Sequence, residues 1–186
     1  MNIIGINSSP RTNGNTDILV RKILEGANEK NADTNYYNLN SMKIKGCQGC
    51  YYCKSKAVCV IKDDMSKLLE EVFIADGIIL CSPVYMFQMN AQAKMFTDRL
   101  LPVLNPDFSS RFNKRKKMIL AYTQGNPDKK LFSSYFKATA EMFGFLGFDV
   151  VNIIVAAGLL NPLDINKQSD LLNEAKEAGK QLTEIK

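Results

Sequence analysis

Four of the chain's five cysteines lie close together in the sequence, at a spacing that can bind metal. Cys47, Cys50, Cys53 and Cys59 form the pattern C-x2-C-x2-C-x5-C. Thiolates spaced in this way can converge on one inorganic cluster, with the fourth supplied by a short return of the chain. Zinc also accepts four thiolates, although its usual layout is two separated C-x2-C pairs. Disulfide pairing, which is rare in cytosolic proteins, and a site without metal stay open as well.

A second candidate site is a polar loop between the first predicted strand and the first predicted helix. Small hydroxyl-bearing residues at a helix N-terminus offer backbone N–H groups and the positive end of the helix dipole to a phosphate. The loop is neither a dinucleotide fingerprint nor the P-loop of an NTPase. An ordinary turn, with Asn15 or Thr16 capping the helix, is the alternative. The candidate phosphate-binding residues are Ser9, Arg11, Thr12, Asn13, Gly14, Asn15 and Thr16.

The chain has no histidine at all. Its absence excludes Ser–His and Cys–His nucleophile pairs, His-based zinc sites and His proton relays. Chemistry must therefore come from a cofactor, the cysteines, carboxylates or backbone dipoles.

The elements that must position these residues alternate between strand and helix from end to end. Alternating β and α elements predict an α/β fold, a doubly wound five-stranded parallel sheet with helices on both faces. We expect one domain over residues 1–186, with a Cys-rich insertion at about 43–62, after the second strand. Long ordered insertions are usually functional. Predicted strands cover residues 2–7, 34–39, 77–81, 117–123 and 150–156, and predicted helices cover 15–29, 65–75, 91–104, 131–145 and 167–184.

The bulk composition narrows the protein class. The net charge is +5, and much of the excess lies in residues 111–117, RFNKRKK. We favour a solvated loop for this run over a docking patch for an acidic redox partner such as a ferredoxin, and we expect no nucleic-acid binding because aromatic residues are not interleaved with the charges. No apolar run approaches the roughly 20 residues of a membrane helix. No secretory signal is evident either, so a cytoplasmic location is expected.

Three segments together resemble one family. Residues 5–16 are similar to the opening of the NADPH-dependent FMN reductase and iron–sulfur flavoprotein group, which has the flavodoxin-like fold. Residues 82–85 (SPVY) and 123–126 (TQGN) are similar to that group's isoalloxazine loop and its third flavin-contacting loop. The resemblance covers about the first 130 residues, and the rest by topology only. It implies strand order 2-1-3-4-5, an FMN phosphate in the first loop, and further FMN-binding residues at Pro83, Val84, Tyr85, Met86, Phe87, Thr123, Gln124 and Gly125.

The cysteine spacing is also similar to the compact motif of the iron–sulfur flavoproteins, which implies a [4Fe–4S] cluster. The resulting hypothesis is a flavin-dependent oxidoreductase that passes electrons between this cluster and FMN. The alternatives are an NAD(P)H-dependent FMN, quinone or nitro-compound reductase without a cluster, and a non-enzymatic zinc-binding module. The family further implies a redox partner such as ferredoxin or a nicotinamide nucleotide, and a homodimer or homotetramer.

Two predictions concern the helices that flank the cysteine segment. Asp63 or Asp64 is expected to cap the helix that follows the cysteines. Lys94, Asp98 and Arg99 are interpreted either as the solvated face of the next helix or as direct flavin contacts.

Overall fold

The computed structural model describes residues 1–184, and its centre is a parallel β-sheet. The strands are β1 (Asn2–Asn7), β2 (Asp33–Asn38), β3 (Gly77–Tyr85), β4 (Gln88–Met89), β5 (Lys116–Thr123) and β6 (Phe148–Ala156). The five parallel strands lie in the order β2-β1-β3-β5-β6, and β4 pairs antiparallel with the end of β3. The predicted order is confirmed, while the short β4 was not predicted. Residues 185 and 186, the end of the predicted domain, lie outside the described residues.

Helices connect the strands and cover both faces of the sheet. Within residues 1–184 they are α1 (Asn15–Glu29), α2 (Tyr52–Lys56), α3 (Asp64–Ile74), α4 (Ala91–Asp98), α5 (Ser133–Phe145) and α6 (Ser169–Leu182). The short α2 lies inside the cysteine segment and was not predicted. None of these helices is long and apolar enough to cross a lipid bilayer.

The strands are apolar on both faces because each face carries its own core. Successive residues such as Ile78 and Ile79 point to opposite sides of the sheet and are both fully buried. One core contains Ile79 with Leu19 of α1 and Leu171 of α6. The other contains Ile78 with residues of α3, α4 and α5. This two-sided burial explains why the strands read as nearly continuous apolar runs.

The third predicted strand is longer than expected. The prediction that it ends at residue 81 is wrong, because Pro83 is paired with Thr123 of β5 and Val84 with Met89 of β4. Proline is usually confined to strand edges and ends, and here it lies just before the strand turns back into β4. The predicted flavin loop therefore begins as the last residues of a strand.

The predicted helix over residues 91–104 is wrong beyond Asp98. A 3₁₀ turn, Leu101–Val103, follows α4, because Pro102 cannot continue an α-helix and disfavours helical geometry at Leu101. Lys94 and Asp98 form an exposed ion pair, as a solvated face predicts, but Arg99 is buried. The remaining predicted boundaries differ from the structure by two residues or fewer, within the usual uncertainty of element ends.

The basic run 111–117 holds neighbouring elements together. Lys116 Nζ donates to the carbonyl oxygens of Phe73 and Ala75 at the end of α3. Arg115 donates to the Gly144 carbonyl oxygen in the last turn of α5. Cations at these positions satisfy carbonyls that the helices leave unpaired. The run is therefore a set of helix-end contacts rather than a simple solvated loop.

Tyr122 of β5 provides a test of the core. Its ring stacks on Phe136 at 4.1 Å, and its buried hydroxyl has no hydrogen-bond partner within residues 1–184. Because an unsatisfied buried hydroxyl costs about 1–3 kcal/mol, Tyr122→Phe should increase the free energy of unfolding by about 1 kcal/mol, measured by urea unfolding near pH 8. A loss of stability would contradict this account.

The same variant should change the alkaline response. Burial raises the pKa of Tyr122 above its usual 10.0; Tyr135 adds to the effect, and the nearby Thr139 hydroxyl, which does not reach hydrogen-bonding geometry, opposes it only in part. The unfolded chain ionises this hydroxyl first, so the wild type loses stability as the pH rises through about 10. Tyr122→Phe lacks this hydroxyl and should therefore lose less stability than the wild type as the pH rises through about 10.

Candidate cofactor-binding site

A cavity of about 260 Å³ lies at the carboxyl ends of β1, β3 and β5. This edge is where open α/β sheets bind their ligands. Three chain segments meet there: the loop after β1, the end of β3 and the loop after β5. A fourth wall comes from the loop after β6. The lining residues are Ser9, Arg11, Asn15, Thr16, Pro83, Val84, Tyr85, Thr123, Gln124, Gly125, Leu159 and Leu160.

The N-terminus of α1 opens toward this cavity. Gly14 is the N-cap, and within the described residues no side chain caps the helix. The predicted alternative, capping by Asn15 or Thr16, is therefore wrong. A Cβ on Gly14 would lie 3.1 Å from that of Arg11, so the loop closes tightly here. The first N–H groups of α1 remain available to an anion, with the helix dipole favouring negative charge.

Asn15 and Thr16 connect the first loop to other walls of the cavity. The Asn15 side chain donates to the Asn161 carbonyl oxygen (2.9 Å) and accepts from the Ile165 N–H (3.1 Å). The Thr16 and Thr123 hydroxyls are hydrogen-bonded at 2.8 Å and are buried. Side chains of the site itself thus fix the loop after β1 relative to the end of β5 and to the loop after β6.

Gln124 leaves an unused acceptor in the wall of the cavity. Its Nε2 donates to the carbonyl oxygens of Asn126 (3.0 Å) and Asp128 (2.8 Å), which fixes the orientation of the amide. Its Oε1 is buried and has no partner in the described part of the chain. A buried acceptor without a donor costs about 1–3 kcal/mol.

The four clustered cysteines line a second, much smaller cavity of about 20 Å³, together with Arg99. Cys47 and Cys50 are exposed, Cys59 is half-buried and Cys53 is buried. Burial raises the pKa of Cys53, and the nearby Cys59, Cys47 and Cys50 thiols raise it further. Within residues 1–184 all cysteines are free thiols, and no three Cys, Asp or Glu side chains form a group that could hold a single metal ion.

A comparison with known protein families identifies the family of the chain. Residues 1–139 match the model of the NADPH-dependent FMN reductase family. The chain belongs to this family. Its membership places the chain among flavin-dependent oxidoreductases, with FMN as the expected ligand of the larger cavity.

Two relatives agree with the family assignment, and a solved structure agrees with the fold. An iron-sulfur flavoprotein of Archaeoglobus fulgidus is 30% identical over 181 residues, 96% of this chain and 80% of that protein. An iron-sulfur flavoprotein of Methanocaldococcus jannaschii is 43% identical over 103 residues, and the match spans 55% of this chain and 53% of the relative. The structure of an NAD(P)H:quinone oxidoreductase from Methanothermobacter marburgensis superposes with a TM-score of 0.75 at 18% identity, covering 98% of each chain.

Most of the predicted FMN reductase site residues line the larger cavity. The exceptions are Thr12, Asn13, Gly14, Met86 and Phe87. Met86 and Phe87 form the tip of the β3–β4 hairpin, both with positive φ (46° and 70°) and with 91% and 68% of their surface exposed. Bulky residues adopt this left-handed conformation at a cost of about 1–3 kcal/mol each, and such strain is typical of functional sites.

Sequence reasoning missed the fourth wall of the site. Leu159 and Leu160 follow β6, and the Leu159 N–H donates to the Gln124 carbonyl oxygen (3.0 Å). The family resemblance ended near residue 130, so no motif indicated them. The topology did contain a signal, since any loop that follows the carboxyl end of a parallel strand lies at this edge of the sheet.

Proposed function

We propose that this chain is an FMN-binding oxidoreductase that passes electrons between FMN and a [4Fe–4S] cluster held by Cys47, Cys50, Cys53 and Cys59. The observation that carries the FMN assignment is the larger cavity, where the uncapped α1 N-terminus and Tyr85 at the end of β3 line one site. A helix N-terminus suits an anion and an aromatic wall suits a planar ring system, and FMN has both features. When bound, FMN exchanges electrons in pairs or singly and the cluster exchanges them singly.

Each part of the cavity has a separate task in this proposal. The backbone N–H groups at the start of α1, with the Ser9 and Thr16 hydroxyls and the Arg11 side chain, hold the phosphate. Tyr85 lies at the cavity wall, where its ring can cover an aromatic ligand. The absence of histidine agrees with chemistry that resides in the cofactors.

The cluster assignment rests on the donor set and on the relatives' names. Four thiols around one cavity fit a [4Fe–4S] cluster in number and type. A cluster of four irons is wider than one ion, so its cysteines stand further apart than the ligands of a single metal. The present cavity holds about one water molecule. Cluster uptake therefore requires the exposed side of the segment, with Cys47 and Cys50, to move outward.

A reductase without a cluster is the second candidate, and the small volume of the cysteine cavity favours it. In that case the family's nicotinamide nucleotide is the electron donor, and the cysteines remain free thiols. The zinc-binding module is a distant third candidate, because it leaves the larger cavity without a role. A ferredoxin partner, a homodimer or homotetramer and a cytoplasmic location stay predictions from the family resemblance.

Cofactor analysis of anaerobically purified protein separates these candidates. Flavin bands over a broad thiolate-to-iron absorption, with about four iron and four sulfide per chain, would support the two-centre proposal. Flavin without iron, even after anaerobic reconstitution, would favour the simple reductase. Protein without flavin after incubation with FMN would contradict both, and stoichiometric zinc would then favour the third candidate.

The role of Arg11 yields a prediction about the phosphate. Arg11→Met should weaken FMN binding by up to about tenfold. The reason is that an exposed charge-assisted contact contributes at most about 1.4 kcal/mol after solvent screening. Binding of riboflavin, which lacks the phosphate, should be unchanged. Fluorescence titration of the apoprotein measures both ligands.

A control variant tests whether the effect is local. Lys129 is an exposed cation in the loop after β5, and it does not line the cavity. Lys129→Met should therefore leave FMN affinity unchanged. Equal weakening of FMN and riboflavin in Arg11→Met would contradict a phosphate contact.

A further inference from the structure

Arg99 is a buried cation at the wall of the cysteine cavity. It follows α4 directly, and its side chain is 0% exposed. Its two terminal nitrogens bind the Asp63 carboxylate end-on, with Nη1–Oδ2 at 2.8 Å and Nη2–Oδ1 at 3.0 Å. Burial would lower the pKa of Arg99, but the hydrogen bond to Asp63 and the neighbouring Cys59 outweigh it, so the guanidinium stays charged.

Arg99 joins the two ends of the cysteine segment. Its Nη1 also donates to the Lys45 carbonyl oxygen (2.7 Å), and its Nη2 approaches the Ile61 carbonyl oxygen (3.4 Å). Lys45 precedes the first clustered cysteine and Ile61 follows the last. Residues 46–60 therefore form a loop whose two ends meet at Arg99, as in an Ω-loop.

Asp63 completes this closure. Its carboxylate accepts the Lys45 N–H (2.9 Å) and the Met65 N–H (3.2 Å), so it caps α3 as the sequence predicted. Burial would raise the pKa of Asp63, but the hydrogen bonds from Arg99 and Lys45 hold it below its usual value. The closure thus depends on one largely buried ion pair, in which removal of either charge leaves the other uncompensated.

One donor of Arg99 remains unused. Nε is buried and has no hydrogen-bond partner among the described residues, although a guanidinium normally uses its donors when buried. Arg99 lines the same cavity as Cys47, Cys50, Cys53 and Cys59. The other charged residue lining that cavity, Asp98, is paired with Lys94 on the surface. Cys59 lies close enough to Arg99 to raise its pKa, so a thiolate or a cluster sulfide is the class of acceptor that we assign to this donor.

We propose that Arg99 is the positioning residue of the cysteine site: it closes the segment around the four thiols and donates its free Nε–H to sulfur when a cluster is bound. The cluster part of this inference rests on the proposed function, whereas the closure part applies to the cluster-free chain. A cation that donates to cluster sulfur stabilises the reduced, more negative state and raises the reduction potential.

The closure is tested in the cluster-free chain by hydrogen exchange. In Arg99→Met, amides of residues 43–62 should exchange at least about tenfold faster than in the wild type, while those of β1, β3 and β5 should keep their protection. Arg99→Lys retains the charge but cannot bind both carboxylate oxygens of Asp63 at once, so its exchange rates should lie between those of the wild type and Arg99→Met. Unchanged exchange in Arg99→Met would overturn the positioning role.

The electrostatic role is tested by the reduction potential of the reconstituted cluster. Arg99→Met should shift the one-electron reduction equilibrium by at least tenfold toward the oxidised form, about 59 mV lower. Arg99→Lys should retain most of the wild-type potential. An unchanged potential in Arg99→Met at full iron and sulfide content would overturn the donation to sulfur.

Arg111→Met is the matched control. Arg111 also donates to backbone carbonyl oxygens, those of Leu104 (3.0 Å) and, inside the segment, Lys54 (2.8 Å), but it does not line the cysteine cavity. Its substitution should leave the potential unchanged. If the wild type accepts no cluster, the proposed cluster fails, and the hydrogen-exchange result alone decides the closure by Arg99.

Discussion

Gly26→Ala is expected to destabilise the fold by about 3 kcal/mol, at the upper end of overpacking costs. A Cβ on Gly26 would lie 1.9 Å from the carbonyl oxygen of Lys176 in α6. Conversely, a Cβ on Gly179 in α6 would lie 1.9 Å from the carbonyl oxygen of Ile23 in α1. The obstructing atoms are backbone, so no side-chain rotation relieves the clash, and the two helices must separate.

Gly144→Ala is the matched control for this prediction. Gly144 lies in α5, and the nearest atom to an added Cβ is the Arg115 Nη2 at 3.6 Å, an ordinary contact. Alanine there should stabilise the helix by about 0.5–1 kcal/mol. Urea unfolding monitored by circular dichroism measures both variants. A loss of less than about 1 kcal/mol in Gly26→Ala would mean that α1 and α6 move apart without losing their shared core.

The parts of the fold that were predicted correctly depend on local sequence patterns. Apolar runs such as residues 2–7 specify strands, and the alternation with helices predicts a parallel sheet, while the strand order was implied by the family resemblance. The loop after β1 was recognised for the same reason, since strand, polar loop and helix follow one another in the sequence. The capping of α3 by Asp63 is also local, because the acceptor and the Met65 N–H are two residues apart.

What the sequence did not reveal depends on long-range contacts. Arg99 read as part of a solvated helix face because its partner, Asp63, lies 36 residues earlier. Leu160 carries no motif, and it reaches the cavity only because β6 lies beside β5. The cysteine spacing indicated a shared site, but the size of the cavity follows from the fold of the whole segment. Pairings of this kind are set by tertiary packing, which a residue-by-residue pattern does not contain.

Asp17→Ala is expected to weaken FMN binding by at least about tenfold and to lower the free energy of unfolding by about 2–3 kcal/mol. Asp17 is 1% exposed and accepts the Asn13 N–H (2.9 Å), the Tyr36 hydroxyl (2.8 Å) and the Arg21 Nε–H (2.8 Å). Hydrogen bonds to a buried charged group contribute about 1.5–3 kcal/mol. The Arg21 side chain is 56% exposed, so its ion pair adds little.

These contacts hold both ends of the phosphate loop. The Ser9 N–H donates to Asn7 Oδ1, Asn7 Nδ2 donates to the Tyr36 hydroxyl, and that hydroxyl donates to Asp17. Asp17 in turn accepts the Asn13 N–H at the other end of the loop. Tyr36→Phe breaks only the middle of this chain and should weaken FMN binding less than Asp17→Ala. Asp170→Ala, which removes an exposed carboxylate from the first turn of α6, is the control and should not affect FMN.

Asp17→Asn distinguishes an effect of the shape of the phosphate loop on FMN affinity from an effect of the carboxylate charge. If Asp17 acts by shaping the loop, the amide oxygen of asparagine still accepts the Asn13 N–H, and FMN affinity should fall only modestly, by about threefold. If instead the carboxylate mainly repels the phosphate, both Asp17→Asn and Asp17→Ala should bind FMN more tightly. The two explanations predict opposite signs for Asp17→Ala. Titration of the apoproteins with FMN therefore distinguishes them by the sign of the change in affinity, and riboflavin, which lacks the phosphate, should be little affected in either case.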